Sequence, residues 1–427
     1  MRQIVQDQNT FARGLASNIL WTIPIAAAVA FLLFDNLIAR EYFAGLSGTS
    51  IVSVLVFISV AIYAVSISFR HGPKILVLGP RWRQQFLILS SLISVILIAH
   101  LLIQPTWRGA QMLIAFAGFS LTVFVFSSPQ SRPLNENLKT FLVGALLIVS
   151  TVAIARFSVE LTPFDDRARG ETWVIAAAII PMIANRIWLG LAFLVVLSAA
   201  TVVSDSRFAV ASLAVVAVFV VLGLLRPEMG KLRPAIALAS GAILLPLFAL
   251  AQEVLSLRPS LELPPIQEVN GVIAMPEPDG GSSEQQRLDE IANRLRDWSF
   301  GRTPLWLAII RTMEGPRDWI FGKGPGFASV TGLEARGINH PHNEYLRFLV
   351  DTGIIGLTLL ILMGLTILVA LFRVRADIGE RQFWTGLSLV FLLASHSLVT
   401  NTLIPPHFWV PAAVFLGLSL RPRTQPT

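Results

Sequence analysis

Long apolar runs follow one another along most of the chain, and they limit its fold more than any other sequence feature. Each run has about 20 residues, the length of a helix that crosses the hydrocarbon core of a bilayer. Of the 427 residues, 54% are hydrophobic and only 14% are charged, which is too apolar for a soluble globular chain of this size. The sequence therefore predicts an all-α polytopic membrane protein.

The apolar runs predict about twelve transmembrane helices. Their expected bounds are 17–37, 48–69, 85–103, 109–127, 138–156, 172–185, 187–203, 207–225, 234–254, 346–372, 383–400 and 404–420. The first run follows Arg2 and Arg13 and lacks a small-residue cleavage site, so we interpret it as a retained helix and not as a removed signal peptide.

The basic residues predict the orientation of these helices, because short cytoplasmic loops retain Lys and Arg. With the N-terminus inside, the inner loops hold more than half of the 33 basic residues. The short outer loops hold only Arg40, Arg108, Arg156, Arg167, Arg169 and Arg207. Both termini are therefore expected in the cytoplasm.

Three regions follow from this topology. Residues 1–254 are expected to form transmembrane helices 1–9, residues 255–345 a large periplasmic loop domain, and residues 346–427 helices 10–12 with a cytoplasmic tail. Within the loop, Pro and Gly are frequent up to about residue 281. The stretch SSEQQRLDEIANRLRDW, residues 282–298, then predicts a capped amphipathic helix at the membrane surface.

Charge and cysteine content exclude several functions. The formal net charge of +7 is spread over the inner loops and is not gathered on one face with aromatic residues, which argues against nucleic-acid binding. The chain has no cysteine, so disulfides, thiolate catalysis and cysteine-ligated metals are excluded.

Two arginines stand beside predicted helix starts. In FGRTPLW, Thr303 is a suitable N-cap, Pro304 suits the first helical position, Gly315 suits the exit, and Arg302 precedes them all. A helix N-terminus presents unpaired N–H groups and the positive end of the dipole, so an adjacent guanidinium suits a phosphate ligand. The alternative is an ordinary interfacial arginine.

The second arginine lies at the outer end of the eighth predicted span. Here Ser204, Asp205 and Ser206 precede Arg207. Since Arg207 and Arg302 are predicted on the same side of the membrane, they could together hold a lipid-linked pyrophosphate. The alternative is that Asp205 simply pairs with Arg207.

The stretch NHPHNEYLRF contains the most reactive side chains of the chain. Proline at position 341 predicts a helix that starts near His342, with Asn343, Glu344 and Tyr345 in its first turn. The positive helix end favours a neutral imidazole, which suits a general base or a group that orients a hydroxyl. Two alternatives are a metal pair of His340 and His342 completed by Glu344, and a purely structural His342.

This stretch resembles the O-antigen ligase and polymerase family of bacterial envelope glycosyltransferases. The family signature is His followed by Asn, Ser or Gln, nine residues, and Gly-x-x-Gly. His342, Asn343, Gly353 and Gly356 fit it, and the upstream GKGPGF with Gly322, Gly324 and Gly326 also resembles the family. A threonine pair often found after the glycines is replaced by Leu357, Thr358 and Leu359, which leaves ligase against polymerase open.

The resemblance implies a GT-C-like membrane fold with one large periplasmic loop, in the bacterial inner membrane. It also implies a metal-independent, cofactor-free, inverting transfer from an undecaprenyl-pyrophosphate-linked glycan to the lipid A core or to a lipid-linked glycan. His342 matches the essential histidine of the family, and Arg207 and Arg302 match its pyrophosphate-binding arginines by context. A polysaccharide polymerase is the alternative within the family.

A transporter or flippase is the alternative from another class. Ion-coupled carriers place ionisable groups near the bilayer midplane. The histidines within or beside the predicted spans, His100, His396 and His407, all lie near the outer end of a helix. This placement favours chemistry at the outer face over transport.

Overall fold

The computed structural model describes most of the helical part of the chain. It covers residues 21–33, 41–43, 46–71, 80–129, 134–160, 167–184, 186–203, 207–225, 227–230, 232–242, 303–329, 331, 341–400, 402–403 and 405–422. The amphipathic helix predicted at residues 282–298 lies outside these ranges.

Helices dominate the described residues. They are α1 (Trp21–Leu33), α2 (Gly48–His71), α3 (Arg81–Ile103), α4 (Trp107–Phe126), α5 (Glu136–Glu160), α6 (Arg167–Ala178), α7 (Ile180–Ile183), α8 (Ile187–Val203), α9 (Arg207–Leu224), α10 (232–242), α11 (Thr303–Ile310), α12 (Pro316–Phe321), α13 (Glu344–Arg373), α14 (Arg375–Ile378), α15 (Glu380–His396) and α16 (Pro406–Ser419). A 3₁₀ turn spans Pro227–Met229. The prediction of an all-α chain missed one small antiparallel hairpin, β1 (Glu41–Phe43) with β2 (Leu46–Ser47).

The helices confirm a polytopic membrane protein. Within the described ranges, four helical stretches are long and apolar enough to cross a bilayer: Arg81–Ile103, Trp107–Phe126, Glu136–Ala155 and Glu344–Arg373. Shorter apolar helices lie at Trp21–Leu33, Ile51–Ser66, Ile187–Val202 and Phe208–Leu224. Each expected span contains a described helix, and the count of twelve crossings stays a prediction.

The sixth predicted span is a broken helix. The helix α6 ends at Ala178, and α7 resumes at Ile180 with Pro181 in its first turn. Proline has no N–H to donate, so it is tolerated at a helix start but interrupts a helix interior. The apolar run at 172–185 therefore folds as two short helices.

The helix α16 is buried at almost every position and lies at the centre of the packed core. Glycines allow its close contacts with α4: a Cβ on Gly118 would come within 2.8 Å of the Trp409 ring, and one on Gly417 within 2.6 Å of Phe126 Cβ. Small residues serve in the same way between membrane helices in general.

A charged cluster ties α10 to α15 at the end of the bundle that is predicted to be cytoplasmic. Arg233 donates to Glu380 Oε2 at 2.8 Å, and Arg375 donates to Glu380 Oε1 at 2.6 Å. Burial by itself would raise the pKa of Glu380, but hydrogen bonds from Arg233, Arg375 and Trp384 outweigh burial and lower this pKa. The carboxylate thus stays ionised as the partner of two arginines.

Candidate functional site

The helix that follows His342 consists of two segments. Its backbone leaves the helical conformation at Gly353, with φ 69° and ψ −174°. We call residues 344–352 the capped segment. Asn343 is its N-cap, and Asn343 Oδ1 accepts from the Leu346 N–H at 2.9 Å. An asparagine directly after the histidine therefore satisfies one of the free N–H groups at the helix start.

His342 precedes the cap in an unusual backbone conformation. Its φ is +51°, and among the described residues it is the one non-glycine residue with a positive φ. The side chain is partly exposed, whereas Glu344 two residues later is fully buried. Backbone strain of this kind costs of order 1–3 kcal/mol and persists where the surrounding structure enforces it. The helix begins at Glu344, two residues later than predicted, so His342 lies before the helix and not in its first turn.

A contact from α11 fixes the chain just before His342. Trp306 Nε1 donates to the Pro341 carbonyl at 2.7 Å. Leu305 and Ile309 of α11 pack against Leu346 and Val350 of the capped segment. The start of α11, which directly follows Arg302 in sequence, is thus held against the histidine segment.

The sequence GKGPGF forms a turn that wraps the far end of the capped segment. We call residues 322–328 the glycine loop. Gly322, Gly324 and Gly326 all have positive φ, which only glycine adopts without strain. The loop N–H groups of Gly326 and Ala328 donate to the two carboxylate oxygens of Asp351, at 2.8 and 2.9 Å.

Further backbone bonds join the same two elements. Lys323 N–H donates to the Val350 carbonyl at 2.8 Å, and Gly324 N–H donates to the Asp351 carbonyl at 3.0 Å. A Cβ on Gly353 would collide with the backbone carbonyl of Ile320 in α12. The first glycine of the Gly-x-x-Gly pattern is therefore required both for its own backbone conformation and for this close approach. A Cβ on Gly356 would meet a side chain, that of Thr352, and not a neighbouring backbone.

Three charged side chains lie on one face of the capped segment, and all are fully buried: Glu344, Arg347 and Asp351. We call them the buried ion cluster. Arg347 Nη1 lies 3.7 Å from Glu344 Oε1, and Arg347 Nε lies 3.6 Å from Asp351 Oδ2. Glu344 Oε2 also accepts from the Thr402 N–H at 3.1 Å.

The start of α9, where Arg207 lies, is linked to the capped segment through the end of α15. The Phe208 ring, next to Arg207 in sequence, lies edge-on to the buried His396 ring with centroids 4.8 Å apart. The backbone carbonyl of Ser397, the residue after His396, accepts from the Glu344 N–H at 2.7 Å. The starts of α9 and α11 therefore both connect to the segment that carries His342.

Several other predicted site residues are not described by the structure, and one predicted helix boundary differs from it. Arg302, Asp205 and His340 lie outside the described residues. Arg207 begins α9, but the structure does not describe its side chain. The helix after Thr303 ends at Ile310, and the predicted exit at Gly315 is wrong. Gly315 instead precedes α12, with Pro316 at the first helical position.

Metal ligation has no support within the described ranges, where no group of three or more His, Cys, Asp or Glu side chains is placed to hold an ion. His340, one half of the alternative metal pair, lies outside those ranges. The absence of a metal from the mechanism therefore stays a prediction.

A comparison with known families identifies this region. Residues 192–361 match the family model described as O-antigen ligase. Residues 192–361 are thus similar to an O-antigen ligase domain. The resemblance noted in the sequence is thereby confirmed, and no curated protein matches the chain. The family supports an activity of the ligase or polymerase type on lipid-linked glycans.

The matched segment includes α9, α11, the glycine loop and the capped segment, whereas His396, Ser397 and Thr402 lie beyond its end. It begins in α8 and ends in α13 beyond Gly356, so it contains Arg207, Arg302 and His342. The segment contributes Tyr345, Leu360 and Ile361 to the lining of a largely apolar cavity of about 260 Å³. Ser397 and Thr402 line the same cavity.

Sequence reasoning missed the buried ion cluster. Besides the histidines named above, Arg347 and Asp351 also fall within a predicted span, the one at 346–372. The signal was present: residues 344, 347 and 351 are spaced i, i+3 and i+7, which places them on one helix face. Charges within an apolar run are costly and indicate a function by default.

Proposed function

We propose that the protein is an O-antigen ligase-type glycosyltransferase. It moves a glycan from undecaprenyl pyrophosphate to a sugar hydroxyl of the lipid A core. The observation that carries this proposal is the placement of His342. It is partly exposed at a strained backbone position just before a capped helix, and contacts of its neighbours Pro341 and Glu344 link this segment to the starts of α9 and α11.

The reaction needs few groups from the protein. The acceptor hydroxyl oxygen attacks the anomeric carbon, and the bond from that carbon to the pyrophosphate oxygen breaks with inversion. His342 takes the hydroxyl proton as a general base. The donor already carries a good leaving group, so the reaction needs no metal and no nucleotide cofactor.

The two arginines are assigned to the leaving pyrophosphate. Arg207 stands at the first position of α9, and Arg302 directly precedes α11. Guanidinium groups bind phosphate oxygens bidentately, and helix starts add N–H groups and a positive dipole end. Charge that grows on the pyrophosphate oxygen as the bond breaks would be stabilised there, as in an oxyanion hole.

Donor binding and turnover should both fall when either arginine is removed. In Arg207→Ala and Arg302→Ala, we expect at least about a tenfold loss of kcat/KM for the lipid-linked donor, because a charge-assisted contact contributes about 1.5–3 kcal/mol. Lysine should restore activity only in part, because it lacks the planar fork. Steady-state kinetics with varied donor would measure this, and an unchanged donor KM in both alanine variants would contradict the assignment.

The apolar cavity beside Tyr345 is assigned to the first part of the donor lipid. It shares Ser397 and Thr402 with the elements that hold the capped segment, so a lipid there would place its headgroup near His342. The active site is placed at the periplasmic face of the inner membrane. Residues 255–345 form the large loop on that side, and both termini lie in the cytoplasm.

A polysaccharide polymerase is the second candidate, because Leu357, Thr358 and Leu359 stand where ligases often carry a threonine pair. The same residues would then act on a lipid-linked repeat as acceptor. A deletion strain separates the two. If the protein is a ligase, we expect gels of surface glycan to lose all long chains from lipid A while lipid-linked polymer accumulates. Loss of polymer with one repeat still attached would indicate a polymerase, and a normal glycan profile would contradict both.

A further inference from the structure

We propose that Arg347 is a positioning residue for His342. It holds the capped segment between the glycine loop and the outer end of α15, and so sets where the imidazole meets the acceptor hydroxyl. This inference rests on the proposed function for the reaction that it serves. The observation behind it is the buried ion cluster, which is distinct from the three side chains assigned to the chemistry.

Arg347 itself does not touch the substrate in this proposal. Its side chain has no solvent exposure, whereas His342 is partly exposed. The guanidinium lies between two carboxylates of its own helix, with Nη1 and Nε 3.7 and 3.6 Å from Glu344 and Asp351. These distances exceed those of hydrogen bonds, so charge attraction in a dry interior holds the three groups together.

One carboxylate of the cluster holds the glycine loop. Both oxygens of Asp351 accept from loop N–H groups, those of Gly326 and Ala328. The loop is in turn hydrogen-bonded to the start of α4, where Thr106 Oγ1 donates to the Pro325 carbonyl at 2.7 Å. The far end of the capped segment is thereby tied to α4 through Asp351.

Glu344, the other residue of the cluster with a carboxylate, anchors the capped segment to the connection between α15 and α16. Glu344 Oε2 accepts from Thr402 N–H at 3.1 Å, and the Glu344 N–H donates to the Ser397 carbonyl at 2.7 Å. Ser397 and Thr402 are also bonded to each other through their hydroxyl oxygens at 2.6 Å. Arg347 is the shared counter-ion of both anchors.

The histidine follows the position of this short helix. The capped segment has nine residues between the Asn343 cap and the break at Gly353, so it can tilt as a unit if one anchor is lost. His342 directly precedes the cap, and any tilt moves its ring. Since misplacement of a catalytic group by about 1 Å can cost 10²-fold in rate, the anchors affect turnover without contacting substrate.

The first test uses Arg347→Met and Arg347→Lys. We expect Arg347→Met to lower kcat by about 10- to 30-fold with the donor KM within about threefold, because the geometry of the base changes and the donor-binding arginines do not. Arg347→Lys should recover part of the rate, because it keeps the charge. The matched control is Arg233→Met, which removes a buried arginine bonded to Glu380 at the other end of the bundle. It should keep kcat near the wild-type value.

A double-mutant cycle separates positioning from a general loss of activity. If Arg347 acts through His342, Arg347→Met should reduce the residual rate of His342→Ala by less than about twofold. A further drop as large as in the wild-type background would overturn the proposal. A donor KM raised in proportion to any loss of kcat/KM, with kcat unchanged, would also overturn it.

Folding needs its own control, because breaking a buried ion pair by removing one partner is strongly destabilising. The triple variant Glu344→Gln, Arg347→Met and Asp351→Asn removes every charge of the cluster and nearly conserves its volume. We expect the triple variant to fold and to have a kcat below the wild-type value. A folded triple variant with wild-type kcat would overturn the proposal.

A distance measurement tests the positioning apart from the reaction. Because the chain has no cysteine, Trp319→Cys in α12 and Leu398→Cys after α15 can carry two spin labels at exposed positions. Arg347→Met should broaden the distance distribution between the labels, and Arg233→Met should not. An unchanged distribution in Arg347→Met would overturn the positioning role of Arg347 even if transfer is confirmed. Absence of any transfer would instead contradict the proposed function, while this measurement still decides the positioning role.

Discussion

His342→Ala is expected to lower turnover by at least about 10²-fold, the usual scale of general-base assistance. Donor binding should stay nearly intact, because the pyrophosphate contacts are assigned to Arg207 and Arg302. His342 is partly exposed and lies at a strained backbone position before the Asn343 cap. Its imidazole is therefore accessible to an acceptor hydroxyl and is not part of the buried core. Single-turnover kinetics with saturating donor, on protein purified in detergent, would measure the loss of rate separately from binding.

The neighbouring histidine supplies the control for this experiment. His340→Ala should retain most of the activity, because His340 falls outside the His-Asn-nine-Gly-x-x-Gly pattern. Both variants must be equally abundant in membranes for the comparison. If His340→Ala abolished transfer while His342→Ala kept near-normal turnover, the assignment of the base would be wrong.

Gly353→Ala is expected to destabilise the protein by about 3 kcal/mol or more. The backbone of Gly353, with φ 69° and ψ −174°, lies in a region that is essentially restricted to glycine, at a cost of about 1–3 kcal/mol for other residues. The added Cβ would also collide with the Ile320 carbonyl, and such overpacking costs typically about 1–3 kcal/mol more. Thermal denaturation in detergent should show an apparent Tm lower by about 5 °C or more.

A second glycine of the same helix gives a matched control. A Cβ on Gly364 would meet no atom within 4 Å, and this glycine has no positive φ. Gly364→Ala should therefore leave the apparent Tm unchanged or raise it slightly, since alanine favours a helix over glycine. An equal fall of the apparent Tm in both variants would contradict this explanation, because only Gly353 lies at the break in the helix.

Much of the helical framework could be predicted because it depends on local properties of the chain. Apolar length alone predicted helices such as Glu344–Arg373 and Ile187–Val203 close to their observed bounds. The motif spacing also predicted that His342, Asn343 and Gly353 belong together, because they lie within one short stretch of sequence. Where a single residue controls the backbone, prediction was less accurate: the helix predicted to start near His342 begins at Glu344 after an Asn343 cap, and the helix after Thr303 ends early.

Tertiary structure decided which distant segments meet and which charges are buried. The sequence contains GKGPGF and Asp351, but only the fold brings the two loop N–H groups within 2.9 Å of the carboxylate. It likewise places Trp306 against Pro341 and Phe208 against His396. Apolar length and capping act over one or two helical turns, so they can be seen in sequence. Contacts between segments depend on how whole helices pack in three dimensions, and the local pattern carries no record of that packing.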